Sequence, residues 1–185
     1  NIKIELGGNS EAENIVDVGS EYTIEINELS GDGSMNKTGE GEMVIHSKGN
    51  KVGGTLDVQE GKLTFTVGND STGDGNKKDT EVHELVVGNK DDKEAKVKVD
   101  KGAKVKGDKL HVDGKNAVVS NEGSLEFTEE VKVKGGHLDN NGSISKVTLE
   151  GGKVSGSGSF AGLEMLGGEL VVGNSPGLQT YTDAV

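Results

Sequence analysis

Residues 137–152 and 153–168 carry one pattern twice, without a gap. Leu138 aligns with Val154, Gly142-Ser143 with Gly158-Ser159, and Ile144 with Phe160. Val147 aligns with Leu163, Leu149 with Met165, and Gly151-Gly152 with Gly167-Gly168. The unit begins at His137 and begins again at Lys153, a period of sixteen. Each unit holds three short apolar clusters separated by turn residues. Strands this short bury nothing alone, so the units must stack to make a common core. Stacked in parallel at about 4.8 Å per unit, they close into three long sheets around a narrow apolar centre. The sequence therefore predicts an all-β chain. The expected fold is a right-handed parallel β-helix, or β-solenoid. Its coils are three-sided, with about 16–22 residues in each.

Alternation extends the pattern. Tyr22, Ile24 and Ile26 alternate with Thr23 and Glu25, and Leu63, Phe65 and Val67 with Thr64 and Thr66. Ala95, Val97 and Val99 alternate with Lys96 and Lys98. Period two gives each strand one buried and one wet face. The unit before residue 137 fits as Gly123-Ser124-Leu125, Val131, Val133 and Gly135-Gly136 with three extra residues. The unit after 168 fits with Leu170, Gly177-Leu178 and Tyr181 if two extra residues are allowed. Residues 117–185 thus read as regular coils, and 1–116 as irregular coils with loop insertions of the same continuous domain. Two echoes carry the solenoid backward. Glu84-Leu85-Val86-Val87-Gly88-Asn89 recurs as Glu169-Leu170-Val171-Val172-Gly173-Asn174, and Gly53-Gly54-Thr55-Leu56 resembles the later Gly-Gly-x-Leu corners. The longest expected loops are Ser30–Glu42 and Gly68–Asp79. A chain that starts at Asn1 and ends in mid-pattern reads as a segment of a longer protein.

Composition agrees with a thin core. Apolar residues are 30% and aromatics 3%, against nearly half apolar in ordinary globular domains. Low hydrophobicity with a net charge of −12 also fits disorder, but the ordered alternation does not. The 31 glycines fall at strand ends, where they punctuate turns. Cysteine is absent, which excludes disulfides, thiolate metal sites and cysteine nucleophiles. All 20 basic residues are lysines. The acidic balance and scarce aromatics argue against nucleic-acid binding. No stretch approaches the roughly 18 apolar residues of a helical membrane span, so direct insertion of this segment is not expected.

The run Gly167-Gly168-Glu169-Leu170-Val171-Val172-Gly173-Asn174-Ser175-Pro176-Gly177-Leu178 resembles the Gly-Gly-x-Leu…Gly-Asn-Ser-Pro-Gly corner of autotransporter passenger repeats. The resemblance implies a right-handed β-helix exported through the periplasm to the bacterial cell surface or the extracellular space. Members of that family act as adhesins, as aggregation factors, or as carriers for separate enzyme domains. No part of the chain resembles the translocator barrel or an appended enzyme domain. The matched residues Gly167, Gly168, Gly173, Asn174, Ser175, Pro176 and Gly177 form a structural corner, so no functional role transfers with them.

Sites of chemistry are sparse. His46, His83, His111 and His137 are far apart in sequence and read as surface residues, unless coil stacking aligns them into a ladder. Asp70, Asp74 and Asp79 lie in an oxygen-rich stretch that is a weak metal candidate. Its spacing matches neither an EF-hand loop nor the calcium nonapeptide, so a solvated loop is the expectation. The same holds for Ser30-Gly31-Asp32-Gly33-Ser34. Lys96, Lys98, Lys104, Lys106, Lys132 and Lys134 face outward. They form either a basic stripe for an anionic glycan or, as the preferred reading, half of a mixed-charge wall. Glycosidase chemistry needs two carboxylates at a set separation. With 32 acidic residues some pair is inevitable, so a pair alone says little. No nucleophile elbow or phosphate loop is present. No residue is assigned as catalytic or cofactor-binding, and no cofactor is expected.

Three functions follow in order of expectation. The first is a non-catalytic adhesin or structural stalk, its partner a host or bacterial surface protein or glycan. The second is a module whose C-terminal coils assist passenger folding and secretion. The third is a polysaccharide-acting β-helix enzyme. End-to-end stacking of solenoids is expected wherever a coil edge is uncapped.

Overall fold

The computed structural model describes residues 2–9, 13–47, 49–68, 79–88, 93–173 and 180–181. It is a parallel β-helix. Among the described residues there are twenty strands, β1 to β20 in chain order, and no helix. One sheet stacks β1 (Ile2–Leu6), β3 (Thr23–Gly31), β5 (Glu42–Ser47), β7 (Gly61–Val67), β9 (Ala95–Val99), β11 (Ala117–Asn121), β13 (His137–Asn140), β16 (Lys153–Gly156) and β19 (Glu169–Val172). The second stacks β2 (Glu13–Asp17), β4 (Ser34–Thr38), β6 (Lys51–Val58), β8 (Thr80–Val87), β10 (Lys104–Val112), β12 (Ser124–Val133), β14 (Ser143–Ile144), β17 (Ser159–Phe160) and β20 (Thr180–Tyr181). β15 (Val147–Leu149) and β18 (Leu163–Met165) extend the far half of the second sheet. All pairs are parallel, and successive coils are joined by crossovers, for which the right-handed sense is the rule. Nine stacked strands at about 4.8 Å make a rod roughly 40 Å long.

Three sides are distinct where coils are shortest. β13, β14 and β15 form one coil, and β16, β17 and β18 form the next. Upstream, one long strand covers two sides. The first half of β12 pairs with β14 through Ser124↔Ser143, and its second half pairs with β15 through Lys132↔Thr148. Between those two pairs β12 advances three positions further than the coil above it. The three extra residues expected from the repeat therefore sit inside β12, at its bend. Alternation lapses there: Phe127 is buried, Thr128 and Glu129 are both exposed, and Val131 is buried again. One of these extra residues shows in the β10–β12 register, where Gly107 and Lys109 face Phe127 and Glu130, and β6 has its own extra residue between Val52 and Thr55 against β8. Such bulges bend a strand.

The period of sixteen is present as expected. His137 pairs with Lys153, Ile144 with Phe160, and Val147 with Leu163, and the same offset continues to Lys153↔Glu169. Other expectations are corrected. Tyr181 pairs with Phe160 rather than joining Leu163, so the last connection is longer by five residues, not two. Ser30–Glu42 is not a loop, because β3 runs to Gly31 and β4 fills Ser34–Thr38. Its polar sequence hid a buried cation: Lys37 is fully buried, and its Nζ donates to Thr38 O (3.1 Å), Gly39 O (2.5 Å) and Glu60 O (2.8 Å). Gly53-Gly54 is not a corner but lies inside β6 at its bend. The Glu-Leu-Val-Val-Gly phrase falls on the second sheet in β8 and on the first in β19. Both copies end at a left-handed glycine, Gly88 (φ 92°) and Gly173 (φ 74°), so the phrase encodes a strand end and not a register.

One continuous core runs from Leu6 to Phe160. It is built from the inward residues of both sheets, including Ile45, Phe65, Val97, Leu110 and Val133, each with no measurable exposure except Val97 at 1%. Two buried asparagines continue the stack where apolar residues stop. Asn121 Nδ2 donates to Asn140 Oδ1 (2.7 Å) and to Ser143 O (2.9 Å), and Asn140 Nδ2 donates to Ser159 O (3.0 Å). Burying an amide without such partners would cost about 1–3 kcal/mol.

The Gly-Gly corners stack on one another. Gly136, Gly152 and Gly168 have φ of 63°, 68° and 80°. A Cβ on Gly152 would lie 2.6 Å from Gly136 O, and one on Gly168 would lie 2.7 Å from Gly152 O. Gly152→Ala is therefore expected to destabilise by more than about 1 kcal/mol. Gly162 has an unstrained φ, and its Cβ would meet only the flexible Lys146 side chain at 3.1 Å. Gly162→Ala is expected to stay within about 0.5 kcal/mol of the parent. Urea unfolding of both variants compares them, and equal midpoints would contradict the stacked-corner account.

Candidate functional site

The bend of the second sheet makes its outer surface concave. A groove of about 410 Å³ lies there across β6, β8 and β10, with Asp32 at its edge. Gly53 and Gly107 form its floor with Val52 and Val82. The glycines are required by close backbone packing, since a Cβ on Gly107 would lie 2.4 Å from Val82 O and one on Gly53 would lie 2.7 Å from Asp32 Cα. The rim carries paired polar and charged groups. Lys51 Nζ is 3.9 Å from Asp32 Oδ1, His83 Nδ1 is 2.8 Å from Asp108 Oδ2, and Lys106 contacts Asp79. Thr128 Oγ1 donates to Asp108 Oδ1 (3.1 Å), which fixes that carboxylate from the next coil. Sequence reading missed this groove. It combines bulges in several coils, and the signal that marks it is the lapse of alternation at His83-Glu84, at Asp108-Lys109 and at Thr128-Glu129.

A second polar chain runs along the far half of the same sheet. His111 lies between two carboxylates, with Nδ1 3.0 Å from Glu84 Oε1 and Nε2 2.6 Å from Glu130 Oε1. Glu130 continues to Lys132 Nζ at 2.6 Å. The hydrogen bonds from Lys132 and His111 hold the Glu130 carboxyl below its ordinary range. Asp57 is the opposite case. Burial pushes its carboxyl up, and the charges of Glu13, Glu84 and Asp113 add to this against one hydrogen bond from Gln59. Its Oδ1 is buried with no hydrogen-bond partner among the described residues.

The outward lysines are partners of acids. Lys96 pairs with Glu94 (2.6 Å), Lys98 with Asp100 (2.7 Å), Lys104 with Glu126 (2.5 Å), Lys106 with Asp79, Lys132 with Glu130, and Lys134 with Asp113 (3.5 Å). This is the mixed-charge wall, not a bare basic stripe. The four histidines form no ladder. His46 and His137 lie on the first sheet and His83 and His111 on the second, each with its own polar partner. Asp79 is held by Lys106, while Asp70 and Asp74 lie outside the described residues. Among the described residues no group of three or more His, Asp or Glu is arranged to hold a metal ion. Gly167, Gly168 and Gly173 sit in the corners described above, and Asn174, Ser175, Pro176 and Gly177 lie outside the described residues.

No family model matches the chain, and neither a curated protein nor a solved structure matches it.

Two pH effects follow. Burial opposes ionisation of Glu42 and Asp100, but hydrogen bonds outweigh it and hold both carboxyls low. Those bonds come from Lys62 and Thr64 on Glu42, and from Lys98 and Thr66 on Asp100. A depressed carboxyl stabilises the fold above the unfolded-state pKa, and that contribution is lost as pH falls through the folded value. Thermal midpoints should therefore drop as pH is lowered below about 4, and Glu42→Gln should make that drop shallower. Asp57 has the reverse sign, because its raised carboxyl penalises the fold once ionised. Asp57→Asn is expected to raise the midpoint at neutral pH, with the gain shrinking as the parent carboxyl protonates. A pH-independent effect of Asp57→Asn would rule out this cause.

Proposed function

We propose that the chain is a non-catalytic rod of a secreted bacterial protein of the autotransporter-passenger type. It serves as an adhesin or stalk segment on the outside of the cell after export through the periplasm. The observation that carries this reading is the unbroken core from Leu6 to Phe160 under walls on which lysines and acids pair across coils. In a solenoid each added coil contributes its own interface energy. Such a rod keeps its shape along its length, holds a side wall at a fixed distance from an anchor, and needs no disulfide. Its partner is a surface protein or glycan. The exposed Met165, which ends β18, and Leu166 after it support end-to-end stacking with another coil.

The C-terminal coils favour a second role in folding. Contacts separated by only one short coil close at little entropic cost, so β13 to β18 are the coils best able to form first.

Removing residues 1–185 from the parent protein is expected to abolish adhesion or aggregation of cells that carry it. Scrambling residues 137–168 is expected to lower the amount of protease-resistant protein that reaches the surface. Full adhesion by the deletion would overturn the first role, and normal export of folded protein after scrambling would overturn the second.

A further inference from the structure

We propose that the groove along the bend of the second sheet binds a neutral, hydroxyl-rich chain, a glycan laid parallel to the rod axis. This rests on the reading of the chain as a display rod and names what its side wall holds. Three features of the groove select this ligand. Its floor of Gly53, Gly107 and the edges of Val52 and Val82 lacks large side chains and is weakly apolar, which suits the face of a sugar ring. Its rim places donors beside acceptors: Lys51 by Asp32, His83 by Asp108 and Lys106 by Asp79, with Glu81 as a further acceptor. A sugar hydroxyl both donates and accepts, and vicinal hydroxyls match a donor next to a carboxylate. Hydrogen bonds to charged groups are the strong ones. Finally, these groups come from successive coils, so they repeat at about 4.8 Å along the rod, close to the advance of an extended glycan by one ring.

Charge excludes the obvious competitors. Each rim lysine already has a carboxylate, so a polyanion would have to displace that partner. The rim carboxylates Asp32 and Asp108 are likewise engaged, which leaves Glu81 as the one without a partner among the described residues and gives a polycation little to gain. Asp108 is the centre of the arrangement. Thr128 and His83 hold its two oxygens from the neighbouring coils, so it is oriented before any ligand arrives.

The test is amide chemical-shift mapping on the isotope-labelled whole chain. The probes are the hexasaccharides of β-1,4-glucose, β-1,4-mannose and β-1,4-xylose, the hexasaccharide of galacturonate, and hexalysine. Expected are shifts at Val52, Gly53, His83, Gly107 and Asp108 with at least one neutral probe, and about a tenfold weaker response for Asp108→Asn. Both Asp108 and Lys51 are solvent-accessible, so the folded spectrum verifies each variant, and Lys51→Gln gives a second, independent loss. The proposal is overturned if no neutral probe shifts these residues at about 10 mM. It is also overturned if Asp108→Asn and Lys51→Gln bind as the parent does, or if only galacturonate or hexalysine responds. The last outcome with hexalysine would make the groove a basic-peptide site. None of these results bears on whether deletion of the rod abolishes adhesion, so the groove and the rod fail separately.

Discussion

Each inner strand hydrogen-bonds to the strands one coil above and below it, and this backbone ladder obliges every coil to retrace the path of the last. Retracing is easy along a strand and hard at a corner, where the chain reverses direction and leaves carbonyls without ladder partners. The protein closes its corners in two ways. Left-handed glycines stack so closely that a methyl group would collide with the carbonyl of the neighbouring coil, as at Gly39 and Gly61 and again at Gly136, Gly152 and Gly168. In the longer coils a buried polar side chain also supplies missing hydrogen-bond partners. The Lys37 ammonium satisfies three carbonyls from inside, and the Asn50 side chain bridges Leu29 N and His46 O. Burial lowers the pKa of Lys37, and the charges of Glu60 and Asp17 oppose that shift. The ion is tolerated because its three acceptors replace the water it has lost.

The same ladder explains which parts of the fold were legible in the sequence. Short coils have no room for insertion, so their period is visible as letters, and the register of 137–168 can be read directly. Longer coils obey the same ladder with variable offsets, and letter similarity then misleads. Glu84–Gly88 and Glu169–Gly173 look alike because both are strands ended by a left-handed glycine, yet they lie on different sheets. Gly53-Gly54 looks like a corner because a bulge and a corner both require glycine. Lys37 was hidden because lysine reads as solvent-facing, and only the tertiary position of Gly39 and Glu60 makes it a core residue.

The groove was illegible for a related reason. Its walls come from residues in several different coils, and nothing in any one coil identifies it. What creates it is small: one extra residue in β6 against β8 and one in β12 against β10, both at the bend. Between them β8 and β10 pair with equal advance through the same bend. The bulges add to the bend, while the ladder survives on both halves of the sheet. The irregularity that weakens the alternation in the sequence thus builds a shaped polar surface in the fold.

Electrostatics then separates the function of wall and groove. The chain carries 32 acidic and 20 basic residues, yet along the walls acids and lysines alternate in partnered sets such as Glu42–Lys62 and Glu130–Lys132. Exposed pairs of this kind add little stability each. Their effect is to remove the long-range field that a continuous stripe of one sign would create, while the surplus of negative charge keeps neighbouring rods apart. Lysines that already sit beside acids offer a polyanion no open stripe to bind. Recognition on such a surface must depend on short-range geometry, and the bend of the second sheet is where the described structure provides it.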